Sequence, residues 1–172
     1  RRGGDGNRPE LGGVDLVLVH LPRIDLGPVH QSAQMTGGDE RHVPPDHPDS
    51  NYGMAKTTLL DEVPIPANQV HRMRGELPDA HDAADDYERT LADVASAIPS
   101  PSVASAFRRK DNFFDLMLLG LGEDAHIASI FPGSELLTRD NPHRVAAIWA
   151  RHIGVWRITL TPQAILDSRT IL

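Results

Sequence analysis

The run Phe113-Phe114-Asp115-Leu116-Met117-Leu118-Leu119 empties into Gly120-Leu121-Gly122-Glu123-Asp124-Ala125-His126, and Ile127, Ile130 and Phe131 follow at helical spacing. An apolar strand that meets glycines and then a helical pattern is a unit of an open α/β sheet, where ligand crevices lie at the carboxyl ends of strands. Glycines let backbone amides approach a ligand closely, and a helix N-terminus offers free N–H groups to anions. A G-x-G turn also serves as a plain tight connection, so spacing alone leaves both uses open.

Elsewhere the pattern alternates between the two periods. Val14-Asp15-Leu16-Val17-Leu18-Val19-His20-Leu21 is β-rich and reads as a buried strand, and Val70-His71-Arg72-Met73 and Arg157-Ile158-Thr159-Leu160-Thr161 read as shorter ones. Asp49-Ser50-Asn51 can cap a short helix from Tyr52 to Leu60, stopped by Pro64 and Pro66. The clearest helix runs from Ala80 to Ile98, with Asp79 as N-cap and Ala84, Tyr87, Leu91, Val94, Ala95 and Ile98 as its apolar stripe. Pro162 suits the first turn of another helix, and Thr170-Ile171-Leu172 begins a further strand. Strands alternating with helices predict an α/β fold, an open and mostly parallel sheet with helices on both faces. Residues 1–12 are Gly-rich and charged, and are expected to be poorly ordered.

A chain of 172 residues suits a single domain, 1–172, and its 40% hydrophobic and 24% charged content is that of a soluble globular protein. The formal charge of −7 excludes a general nucleic-acid binder, which needs clustered Lys and Arg, but leaves room for a small anionic ligand on local arginines. With no cysteine, disulfide and thiolate chemistry are out of reach, and a cytoplasmic setting is expected. No apolar stretch approaches the roughly 20 residues of a membrane span, so no membrane partner is expected.

Two segments can carry chemistry. His126 sits where a helix N-terminus would disfavour imidazolium while Asp124 favours it, so either ring state lies within reach near neutral pH. A neutral ring takes a proton from water and later returns it to a leaving oxygen; a capping or surface histidine is the bland alternative. Asp39-Glu40-Arg41 precedes the Pro44-Pro45 loop, where an arginine can grip a phosphate or carboxylate bidentately, or simply sit in a solvated charge cluster. Gly53-Met54-Ala55-Lys56-Thr57-Thr58 lacks P-loop spacing, and neither H-E-x-x-H nor G-x-S-x-G occurs, so no metal, no cofactor and no serine nucleophile are expected.

Together these segments resemble the 6-phosphogluconolactonase family, which shares its fold with glucosamine-6-phosphate deaminases. Asp39-Glu40-Arg41-His42-Val43-Pro44 with Asp49-Ser50-Asn51 is similar to its D-E-R-x-V-P…D-S-N signature. Residues 114–133 are similar to its F-D-x-x-L-L-G-x-G-x-D-G-H-x-A-S-L-F-P-G block, and Arg157-Ile158-Thr159-Leu160-Thr161 to its R-I-T-L-T strand. The resemblance covers about residues 37–172. It implies a Rossmann-like sheet and metal-free hydrolysis of 6-phospho-D-glucono-1,5-lactone to 6-phosphogluconate, in the oxidative pentose phosphate pathway, by a monomer or small homo-oligomer. By carry-over His126 is the general base, Asp124 orients it, Arg41 and Arg157 hold the 6-phosphate, and Asp39 and Asn51 shape the sugar site. Amides near Gly122 and Ala125 are expected to stabilise the oxyanion.

The chain departs from that pattern in places. Ala125 stands where the family writes glycine; if φ is positive there, the side chain adds on the order of 1 kcal/mol. The Gln31–Gly38 lead-in is not strongly apolar, the N-terminal G-G-S/T phosphate loop is not recognisable, and the family's Gly-x-x-Lys segment lies beyond Leu172. Parts of both ends of the family domain are therefore expected to be missing. A non-catalytic sugar-phosphate binder is the main alternative. A deaminase is disfavoured by Arg41, Asp124 and Ser129-Ile130-Phe131-Pro132.

Overall fold

The computed structural model describes residues 16–20, 34–97, 112–138 and 141–172. Residues 1–12, Val14, Asp15 and Leu21 of the first predicted strand, the first three residues of the lead-in (31–33) and Ile98 lie outside these.

The longest element is the predicted helix, α2 (Ala80–Ala97), and its N-terminus is built as expected: the Asp79 carboxylate accepts the His81 N–H at 2.7 Å. Its buried face is Ala80, Ala83, Ala84, Tyr87, Leu91 and Val94, spaced three and four apart. This stripe joins Met73, Phe114, Met117, Ile158 and Leu160 in one core. Tyr87 is fully buried and its hydroxyl donates to the carbonyls of Gly37 and His71, so burial raises its pKa while the phenol stays satisfied. Glu88 accepts the N–H groups of Arg144 and Val145, both at 2.8 Å, and so sets where the strand from Val145 begins.

Among the described residues the strands form two small sheets. In the first, β1 (Leu16–His20) lies antiparallel to β2 (Gln34–Gly37) and to β5 (Leu116–Leu118), while β2 is parallel to β4 (Val70–His71). In the second, β7 (Val155–Leu160) lies between β3 (Asp39–Arg41) and β6 (Val145–Ala150), antiparallel to both. The α/β class holds, but among the described residues the expected mostly parallel arrangement does not. For one pair the reason is connection length. β6 and β7 are joined by Arg151–Gly154, with Gly154 at φ 67°, and a turn that short can only reverse the chain, whereas a parallel pair needs a crossover of about a dozen residues. After α3 (Pro162–Leu166), where Thr170-Ile171-Leu172 was expected to begin a strand, the chain makes only isolated parallel bridges, Phe114 with Ser168 and Met117 with Ile171.

The shorter helices follow their caps. Ser50 caps α1 (Asn51–Ala55) by accepting the Gly53 N–H at 3.0 Å, and Thr161 caps α3, with Pro162 in its first turn as predicted. The continuation Lys56–Leu60 widens into a π-helical turn. There Thr57 and Thr58 donate their hydroxyls to the carbonyls of Gly53 and Met54, competing with the helical ladder.

Candidate functional site

Strand periodicity decides what the Asp39-Glu40-Arg41 triplet does. Alternate residues point to opposite faces, and the ladder sets Asp39 opposite Thr159, Glu40 opposite Ile158 and Arg41 opposite Arg157. Asp39 and both arginines therefore share one face. Glu40 occupies the other, buried, and accepts the N–H groups of Arg41, Asn51 and Tyr52 and the Ser50 hydroxyl. It ties β3 to the start of α1, a structural role that the triplet's sequence did not announce. Burial pushes its carboxyl above the ordinary value, and those hydrogen bonds pull it back.

On the arginine face Asp39 is the hub. One oxygen, Oδ1, accepts the Asn51 amide at 2.7 Å; the other, Oδ2, accepts the Ser129 hydroxyl at 2.7 Å and stands 3.6 Å from Arg157 Nη1. Asn51 Oδ1 in turn accepts Arg41 Nη1 at 2.6 Å, and Arg41 also donates to the Asp49 carbonyl. Burial raises the Asp39 pKa; the Ser129 hydrogen bond and then Arg157, Arg41 and His126 lower it. The Arg157 side chain is 12% exposed, burial makes its charge harder to hold, and its Nε has no hydrogen-bond partner among the described residues. A buried guanidinium whose Nε lacks a partner among the described residues offers that N–H to an anion.

His126 reaches this face on the loop after β5, but not as expected from sequence. No helix starts there: Ala125 and Ala128 hold φ of 65° and 49°, left-handed values that break a right-handed helix, so the helix-terminus contribution assigned to His126 is absent. The turn closes on itself, the Gly122 N–H donating to the His126 carbonyl and the Ala125 N–H to the Gly122 carbonyl, each at 2.9 Å. The imidazole lies directly over Gly122, and its Nδ1 meets Asp124 Oδ1 at 2.5 Å. That contact lowers the Asp124 pKa, so Asp124 is a carboxylate at neutral pH, an acceptor placed against Nδ1 while Nε2 points away from it. The His126 side chain is 31% exposed and packs on Phe131, with ring centroids 4.7 Å apart; Phe131 is flanked in turn by His152 at 4.4 Å.

The structure thus gathers Asp39, Arg41, Asn51 and Arg157 into one network and brings His126, with Asp124 and Gly122, close enough to act on Asp39 electrostatically. Sequence reasoning missed Ser129, Thr159 and Phe131, whose contacts join segments far apart in the chain. The cavity beside β3, lined by Thr36, Tyr52, His71 and Met73, reaches Asp39 and Asn51 but not His126, Arg41 or Arg157. Among the described residues no group of three His, Asp or Glu is placed to hold a metal.

The left-handed Ala125 invites a test. Ala125→Gly relieves strain without touching a partner, so the midpoint of thermal unfolding is expected to rise, by the equivalent of about 1 kcal/mol. A lower midpoint would show that the methyl group stabilises the loop.

A family model described as glucosamine-6-phosphate isomerases/6-phosphogluconolactonase matches residues 26–172. A probable 6-phosphogluconolactonase 4, chloroplastic, from rice (Oryza sativa subsp. indica) is 47% identical over 103 residues, 59% of this chain and 30% of that protein. A 6-phosphogluconolactonase from Synechocystis sp. is 43% identical over 135 residues, 78% of this chain and 51% of that one. The structure of 6-phosphogluconolactonase from Trypanosoma brucei superposes with a TM-score of 0.61 at 36% identity, over 79% of this chain and 54% of that one. The chain spans about a third to a half of the length of these relatives.

Proposed function

The chain belongs to the glucosamine-6-phosphate isomerase/6-phosphogluconolactonase family, and from that premise we propose that it hydrolyses 6-phospho-D-glucono-1,5-lactone to 6-phosphogluconate. The observation that carries this reading is a part-exposed imidazole, pinned by a carboxylate at Nδ1, beside a face bearing two arginines. In the mechanism His126 Nε2 takes a proton from water as the water oxygen bonds to the lactone carbonyl carbon. The tetrahedral oxyanion then collapses, the bond from that carbon to the ring oxygen breaks, and the imidazolium returns its proton to the departing oxygen. Asp124 stabilises the imidazolium in between and fixes the tautomer. The Gly122 and Ala125 N–H groups expected to stabilise the oxyanion instead donate to the His126 and Gly122 carbonyls within the turn, so neither is assigned to it.

The phosphate end is assigned to Arg157 and Arg41. Holding the substrate by its phosphate makes the attack effectively unimolecular. Arg41 already serves Asn51 and Asp49 through Nη1, while Arg157 keeps Nε unpaired, so the two cations contribute unequally. Ala125, the departure that raised a non-catalytic relative, adopts the positive φ of its turn, and His126 still meets Asp124.

The test generates the lactone enzymatically and follows its loss against spontaneous hydrolysis. Acceleration supports the proposal. Sugar-phosphate binding without acceleration overturns it in favour of a binder, and ammonia release from glucosamine 6-phosphate overturns it in favour of a deaminase. Within that assay Arg41→Ala is expected to raise KM about tenfold and change kcat little, the signature of lost uniform binding. An unchanged KM would remove Arg41 from the phosphate site.

A further inference from the structure

The hydrogen bonds of residues 122–126 close on the loop itself, Gly122 with His126, Ala125 with Gly122 and His126 with Asp124. Ser129, three residues beyond the histidine and fully buried, reaches out instead. Its N–H donates to Thr159 Oγ1 on β7 at 3.2 Å, and its hydroxyl donates to Asp39 Oδ2 on β3 at 2.7 Å. Both acceptors are themselves buried, Thr159 completely. The residue before Ser129, Ala128, is held at φ 49°, a conformation that L-residues avoid, so something local must fix it. The two Ser129 bonds are in the right place to do so.

We propose that Ser129 is a positioning residue: through Asp39 and Thr159 it registers the histidine loop against the strands that carry Arg41 and Arg157. The geometry is that of a shared atom. Asp39 Oδ2 takes the Ser129 hydroxyl and faces the Arg157 guanidinium, while Oδ1 of the same carboxylate leads through Asn51 to Arg41. One buried carboxylate therefore sets the spacing between the group that handles the proton and the groups that hold the phosphate. A buried carboxylate stays in one place only while all its partners are present, because each missing one leaves uncompensated charge.

In its catalytic arm the proposal rests on the lactonase reading; its spectroscopic arm does not. The probe is Ser129→Ala in the full chain, with Glu88→Gln as a control that weakens a structural cap away from the site. Ser129→Ala is expected to lower kcat about tenfold with KM nearly unchanged, since a hydrogen bond to a charged group is lost while the arginines remain. Asp39 faces Arg157, Arg41 and His126, so losing its Ser129 partner disturbs the carboxylate that lies between the histidine and the arginines. The His126 ring C–H signal, assigned by its absence in His126→Ala, is expected to shift in Ser129→Ala and to stay put in Glu88→Gln. A rise in KM with kcat unchanged, or a His126 signal identical to wild type, overturns the proposal. If the wild-type protein leaves the lactone untouched, the functional reading fails, and the His126 signal alone then decides on Ser129.

Discussion

His126→Ala is expected to lower the rate of lactone loss by roughly 10²- to 10⁴-fold, the range that a positioned general base contributes. KM should change little, because the groups assigned to the phosphate, Arg41 and Arg157, sit on separate strands and keep their contacts with Asn51 and Asp39. Folding should be nearly unaffected. The ring is part-exposed, and its removal strands no buried polar partner, since Asp124 is about half exposed and returns to solvent. These features separate loss of a base from loss of structure: kcat collapses while KM and the unfolding midpoint hold. Turnover within a few-fold of wild type would mean that another group takes the proton, and the mechanism above would have to be abandoned.

Gly122→Ala is expected to remove most of the activity without touching a reacting atom. A Cβ added at Gly122 would lie 2.2 Å from both Cε1 and Nδ1 of His126 and 3.0 Å from Cγ, distances no real contact allows. Either the backbone or the ring must move. The Gly122 backbone is held by its bonds to the His126 carbonyl and the Ala125 N–H, whereas the imidazole is the end of a rotatable side chain. The ring yields, its Nδ1 leaves Asp124, and both tautomer and aim are lost. A displacement of about 1 Å in a positioned group costs on the order of 10²-fold, so kcat should fall by about that factor with the fold retained. Circular dichroism and thermal unfolding beside the kinetics check it, and full activity in this variant would show that the imidazole over Gly122 is not the working conformation.

Gly122 also shows how far local sequence reaches. A glycine two residues before a histidine's acidic neighbour reads as a flexible turn. That the missing side chain makes room for the imidazole emerges only when the loop is folded. The same holds for the helix expected after His126. Its apolar spacing was real, and Ile130 and Phe131 are buried. Left-handed backbone at Ala125 and Ala128 nevertheless turns the segment into a loop, because tertiary contacts at Ser129 and Phe131 outweigh a weak local preference.

The triplet Asp39-Glu40-Arg41 divides along another line. Its charge and its place before a proline-rich loop marked it as a candidate anion grip, and Arg41 does face Arg157 across the sheet. Which of the two acids would be the hub was not legible, because the answer depends on what the opposite strand and a loop 90 residues away present to each face.

Residue order alone determined the elements whose causes are local. These are α2 with its apolar stripe and Asp79 cap, the caps Ser50 and Thr161, and the delivery of Asp124 and His126 to a turn after an apolar strand. Each depends on contacts within a few positions along the chain. Strand direction, the two-sheet arrangement and the Ser129–Asp39–Asn51–Arg41 network were decided only in three dimensions. Pairing partners and buried charge compensation are properties of surfaces that meet after the chain has folded, and no short-range pattern encodes them.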